Sequence, residues 1–162
     1  MKTEQQIRRR IRRWLVTFIT LLIVSGVTAF PLEWELSLLV DLSKHFPIDV
    51  QKWVRNVYLA VSETNTRFPF MAYGTDWLAF AHLVIAVAFI GPLKDPVRNI
   101  WVLQFGMIAC CMVIPLAFIC GSIREIPIYW KLIDISFGVF GFIPLYNCYK
   151  NILKLEKIEQ TN

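Results

Sequence analysis

Residues Ile100–Ile123 read IWVLQFGMIACCMVIPLAFICGSI, and no charged side chain interrupts them. At 1.5 Å of rise per residue, a helix of this length crosses a hydrocarbon core of about 30 Å. Gln104 is the only strongly polar side chain in it. A helix apolar on every face has no solvent side, so the stretch points to a membrane protein built from helices.

Three more stretches to either side have the same character. Residues 14–30 carry no charge, residues 77–93 are uncharged around His82, and residues 128–149 hold Lys131 and Asp134 near their start. With residues 100–121 they make four expected spans. Gly91, Pro92 and Pro96 mark a turn between the second and third, and Ser122 to Pro127 another between the third and fourth. The hydrophobic content of 56% exceeds the usual value of about 45–50% for soluble domains, and 162 residues leave room for one domain. The expected fold class is all-α: a polytopic membrane protein with a four-transmembrane-helix bundle.

The net charge of +5 could suggest a nucleic-acid binder, but the basic residues flank the spans instead of forming one patch. Four spans place Lys2, the five arginines from Arg8 to Arg13, Lys94, Arg98, Lys150, Lys154 and Lys157 on one side. Lys44, Lys52, Arg55, Arg67, Arg124 and Lys131 fall on the other. The richer side is cytoplasmic by the positive-inside rule, which sets both termini in the cytoplasm of a cell-membrane protein. Trp14, Trp77, Trp101, Trp130 and Tyr149 stand at span ends, where amphipathic rings anchor at the headgroups. The first span also resembles a secretory signal, with Val27-Thr28-Ala29 as a cleavage motif. Its length favours retention; cleavage would leave three spans.

Residues 31–74 are expected outside the membrane as two amphipathic interfacial helices on the outer face. Leu32, Leu36, Leu39, Leu42 and Phe46 recur at helical spacing opposite Glu33, Ser37, Asp41, Lys44 and His45. In the second helix, Val50, Trp53, Val54, Val57, Tyr58 and Val61 form one stripe behind Asp49 as N-cap, with Pro47 separating the helices. They either cap the bundle in the headgroup region or form a lid or docking face.

An ionisable residue in a span is costly and marks a candidate site. Asp76 stands at the outer end of the second span, His82 lies about 9 Å further in, and Asp134 sits about one turn inside the fourth. Arg124 and Glu125 follow the third span on the same side. These five are the candidate ligand- or ion-binding residues. Ala79, His82 and Ala86 share a small-residue face, as do Gly106, Cys110, Ala117 and Gly121, and Asp134, Gly138 and Gly141. Close packing of spans two, three and four is expected, with His82 and Asp134 directed inward.

Each candidate also has a plain structural role. Lys131 can pair with Asp134 at i, i+3, His82 can donate to a carbonyl on an adjacent helix, and Asp76 can serve as a helix N-terminal acid. Asp95 can pair with Lys94 or Arg98 in its turn. Cys110, Cys111, Cys120 and Cys148 form no CxxC or Cys/His pattern and read as small packing residues.

No GxSxG or HExxH is present, and no metal or cofactor is specified. The leading expectation is a non-catalytic accessory or scaffold component of a membrane complex, with the bilayer and a membrane protein or second copy as partners. The alternatives are a small ion, proton or solute transporter using Asp76, His82 and Asp134, and an intramembrane metal or redox enzyme.

Overall fold

The computed structural model describes residues 2–161, with side chains for residues 4–160. The described elements are all helical: α1 (Lys2–Thr28), α2 (Leu32–Ser43), α3 (Ile48–Arg67), a 3₁₀ turn (Pro69–Met71), α4 (Ala72–Ala88), α5 (Ile90–Lys94), α6 (Ile100–Ile123) and α7 (Ile128–Thr161). Four helical stretches are long and apolar enough to cross a membrane: Glu4–Thr28, Pro69–Lys94, Ile100–Ile123 and Ile128–Gln160. The chain is thus an all-α protein with four candidate membrane-spanning helices. It divides into two compact units, one of residues 1–21 and 86–162, the other of residues 22–85.

In the first unit α6 and α7 form a hairpin whose seam is made of small residues. A Cβ added to Gly138 would lie 2.6 Å from the Cys110 carbonyl oxygen, and one at Gly141 would lie 3.2 Å from the Cys110 Sγ. Nearer the open end, a Cβ on Gly106 would meet Phe89 at 2.7 Å and Leu145 at 2.9 Å. Contact positions rise along α7 as they fall along α6, so the helices are antiparallel. The small faces expected on the third and fourth spans meet each other, since van der Waals packing between membrane helices depends on close backbone approach. Ile11, Leu15 and Phe18 put one face of α1 into the same core, where Leu145, Cys148, Ile152 and Leu155 are also buried. Phe18 stacks at a tilt on Phe89, centroids 4.7 Å apart, and the Cys148 thiol reaches the Ile11 carbonyl at 3.5 Å.

Not all four cysteines pack. Cys148 is buried and Cys110 half-buried, but Cys111 and Cys120 are exposed. Cys110 points into the α6–α7 seam and Cys148 toward α1, while Cys111 and Cys120 lie on the outward part of α6.

The turn after α4 closes around Gly91, where a Cβ would stand 3.1 Å from the Asn99 side-chain oxygen. Asn99 donates to the carbonyls of Gly91 and Asp95, and Asp95 pairs with Arg98 at 3.7 Å as its turn position suggests.

In the second unit α2 and α3 form another antiparallel hairpin, since Glu33 at the start of α2 meets Asn65 near the end of α3. The N-cap of α3 is Pro47, not Asp49, which falls in the first turn. The Pro47 carbonyl accepts from Val50 and Gln51, and the Gln51 side chain donates to the Phe46 carbonyl at 2.9 Å. Proline's fixed φ suits a helix entrance, so the helix starts directly after it.

The expected apolar stripe of α2 is split. Leu36 is buried, while Leu42 and Phe46 are exposed along with Trp34 and Leu38. The helix therefore has two apolar faces, not one. Gly26 of α1 is the residue that approaches the Ala79–His82 face: a Cβ there would lie 2.9 Å from the Ala79 carbonyl oxygen and 3.0 Å from the His82 Cβ. Gly26 belongs to the first span and is not among the small-residue faces that the spacing singles out.

Candidate functional site

The second unit contains a groove of about 620 Å³. Its walls are the α1–α2 corner and start of α2 (residues 30–34), the second half of α3 (Val57, Ala60, Val61, Thr64, Asn65) and the entrance to α4 (Met71, Ala72, Thr75). Most of this surface is apolar because the α3 stripe continues past what α2 covers. One polar pair is set into it: Asn65 Nδ2 donates to Glu33 Oε2 at 2.8 Å. Hydrogen bonds from Asn65, and then Ser62, hold the Glu33 carboxyl below its usual range, because they favour the charged form. Thr75 directs its hydroxyl to the Ala72 carbonyl at 2.6 Å.

An apolar groove with one anchored carboxylate can seat a hydrophobic side chain or chain segment and accept one hydrogen bond from it. Glu33 is the one ionisable side chain in its lining. Among the described residues no group of three or more His, Cys, Asp or Glu side chains is placed to hold a metal ion.

No protein-family model, curated protein or solved structure matches the chain.

Asp76 and His82 both lie on α4, in the second unit. Asp76 is half-exposed and follows Thr75 without lining the groove. It does not serve as an N-terminal acid, since α4 begins at Ala72 and its first turn is free of acids. Six residues of helix turn through about 600°, which leaves Asp76 and His82 roughly 120° apart around α4. His82 Nδ1 lies 2.8 Å from the Leu78 carbonyl oxygen, on its own helix and not on a neighbour. A carbonyl only accepts, so Nδ1 donates its hydrogen in this contact.

The other three candidates belong to the first unit. Asp134 is half-buried on α7, and among the described residues nothing bonds its carboxylate. Its expected partner Lys131 turns the other way: Nζ donates to Ser122 Oγ at 3.1 Å, and the Lys131 stem lies against Gly121. A side chain three residues from the helix start reaches the preceding loop as readily as the next turn, and here the glycine makes room for it.

Arg124 and Glu125 are exposed in the α6–α7 connection, where Glu125 has φ of 55°. The Ile126 N–H bonds to the Gly121 carbonyl at 2.8 Å and the Glu125 N–H to that of Ser122 at 3.2 Å. This pair of bonds is a Schellman motif, with Glu125 at the left-handed position usually held by glycine. The local role of Glu125 is to end α6.

Sequence reasoning missed Glu33 and Asn65 as a pair. Glu33 reads as part of a polar stripe, and Asn65 lies beyond the apolar stripe that ends at Val61. Folding the two helices back at Pro47 would have paired the start of one with the end of the other, so the signal lay in connector length.

Proposed function

We propose that the chain is a non-catalytic accessory or scaffold component of a membrane complex, a cell-membrane protein with both termini cytoplasmic and the α2–α3 hairpin on the outer face. The observation that carries this reading is the second apolar face of α2. Trp34, Leu38 and Leu42 stand at i, i+4, i+8 and are 62%, 50% and 58% exposed, beside a groove that has one hydrogen-bonding carboxylate. Large apolar side chains lined up outside a span suit an interface with a partner's membrane-proximal surface, and the groove offers a seat for one of its side chains.

Site-specific photo-crosslinking in native membranes tests it. A photoreactive residue at Leu38 or Ala60 should give one discrete product with the same membrane protein, and the same probe at Met112, exposed on α6, should not. Products at Leu38 that contain lipid alone would overturn the reading.

A second reading, a small ion or proton transporter, is favoured by the unbonded Asp134 carboxylate, because an ionisable group within a span is expensive to keep. Flux in proteoliposomes that disappears with Asp134→Asn would support this reading. Flux unchanged by that substitution and by His82→Ala would remove it.

A further inference from the structure

Helix α1 carries a second feature that neither reading uses. Ile11, Leu15 and Phe18 are buried at i, i+4, i+7, which fixes the rotation of the helix in its unit. At 100° per residue, Arg9, Arg13 and Val16 fall on the opposite face with Arg12 at its flank, and all four are exposed. With Thr17 they line a shallow concavity of about 710 Å³.

The charges on this face are uncompensated. Arg8, nearer the buried side, takes both nearby acids, pairing with Glu4 at 2.9 Å and with Glu159 of α7. Among the described residues Arg9, Arg12 and Arg13 have no ion pair. They occupy the last turn and a half before Trp14, where the uncharged run starts.

We propose that Arg9, Arg12 and Arg13, with Val16 and Thr17 beneath them, form a binding site for the phosphate of an anionic phospholipid. The spacing puts three guanidinium forks around one concavity at headgroup depth. Each fork presents paired N–H donors that match two phosphate oxygens, which a lysine ammonium does not. Val16 and Thr17, one turn deeper, adjoin the glycerol and upper acyl chain, with a methyl surface and a hydroxyl at the level of the ester carbonyls. A soluble anion would find the charges but not the apolar floor. The continuous helix from the arginines into the span therefore favours a lipid.

The test uses the full chain in neutral detergent, with native mass spectrometry of bound lipid during titration by phosphatidylglycerol or phosphatidylcholine. The wild type should retain phosphatidylglycerol preferentially. Removing one basic charge near an anionic lipid weakens binding roughly fivefold, so R9Q/R12Q/R13Q should lose about a hundredfold in affinity and all of the preference. The Arg-to-Lys triple variant should fall between the two. The charge-matched control R10Q/K94Q/K154Q should keep the preference. Equal loss in the control would mean a diffuse charge effect and overturn the site, as would a wild type that binds both lipids alike or releases phosphatidylglycerol to millimolar inorganic phosphate. If the triple variant fails to fold, as judged by thermal melting, R12Q alone should still show the fivefold loss, and its absence would overturn the proposal.

Discussion

Gly138 of α7 faces the backbone carbonyl of Cys110 in α6 so closely that a Cβ would lie 2.6 Å from the oxygen. The obstructing atom is main chain, so no rotamer change relieves it and the two helices must separate. Gly138→Ala should therefore destabilise the protein by about 1–3 kcal/mol, the usual cost of overpacking a fitted seam. Gly74 provides the contrast: it lies within α4 with nothing within 4 Å of an added Cβ. Gly74→Ala should be stabilising by about 0.5–1 kcal/mol through helix propensity. Reversible unfolding in mixed micelles reads both, and a Gly138→Ala protein as stable as wild type would contradict the seam.

The left-handed conformation of Glu125 leads to a second expectation. A side chain at φ of 55° is strained relative to glycine, while the Schellman hydrogen bonds require the conformation. Glu125→Gly should raise stability by about 1 kcal/mol, and Glu125→Val should lower it by a similar amount or more, since a β-branched residue is least compatible with positive φ. Thermal unfolding of both variants checks the pair. Equal loss in both would assign Glu125 a role beyond the turn.

Close helix approach leaves a local mark, a small residue every three or four positions, so the facing of Gly106, Cys110, Gly138 and Gly141 is legible in the pattern. Which partner a small face meets is decided by tertiary packing instead. Nothing in the spacing of Ala79 and His82 names Gly26, and nothing in the α2 stripe says that Leu36 turns inward while Leu42 turns out. Lys131 and Asp134 illustrate the same limit. Their i, i+3 spacing permits a pair, but Ser122 across the loop, reached over Gly121, takes the ammonium. The span boundaries are offset for a related reason: α1 and α7 continue as helix well past their apolar runs, because hydrogen bonding does not stop where hydrophobicity does.

Glu33 gives a pH dependence. Its folded-state pKa lies below the usual 4.5, because the hydrogen bonds from Asn65 and Ser62 favour the carboxylate. A group with a depressed folded pKa contributes stability that is fully present above its unfolded value and is lost as pH falls through the folded one. The α2–α3 hairpin should therefore loosen on acidification below about pH 4.5, and Asn65→Leu should move the Glu33 titration upward and shrink that loss. Carboxyl-resolved NMR across this range measures the midpoint directly. An unchanged midpoint in Asn65→Leu would mean that the 2.8 Å bond does not hold the charge.

The last expectation concerns whether the first helix stays. Ile11, Leu15 and Phe18 are buried in the first unit, and the Cys148 thiol of α7 reaches the Ile11 carbonyl. Cutting after Ala29 would take all three side chains out of that core and leave Ile152 and Leu155 facing lipid or solvent. Leu15→Ala should cost about 2–5 kcal/mol, as for a fully buried leucine, whereas Val16→Ala on the exposed face should cost well under that. The intact mass of the membrane-extracted protein should include residues 1–29. If the mass begins at Phe30 and the remainder is still folded, then the α1 core contacts are dispensable, and the Leu15 and Val16 substitutions have no effect on the mature protein.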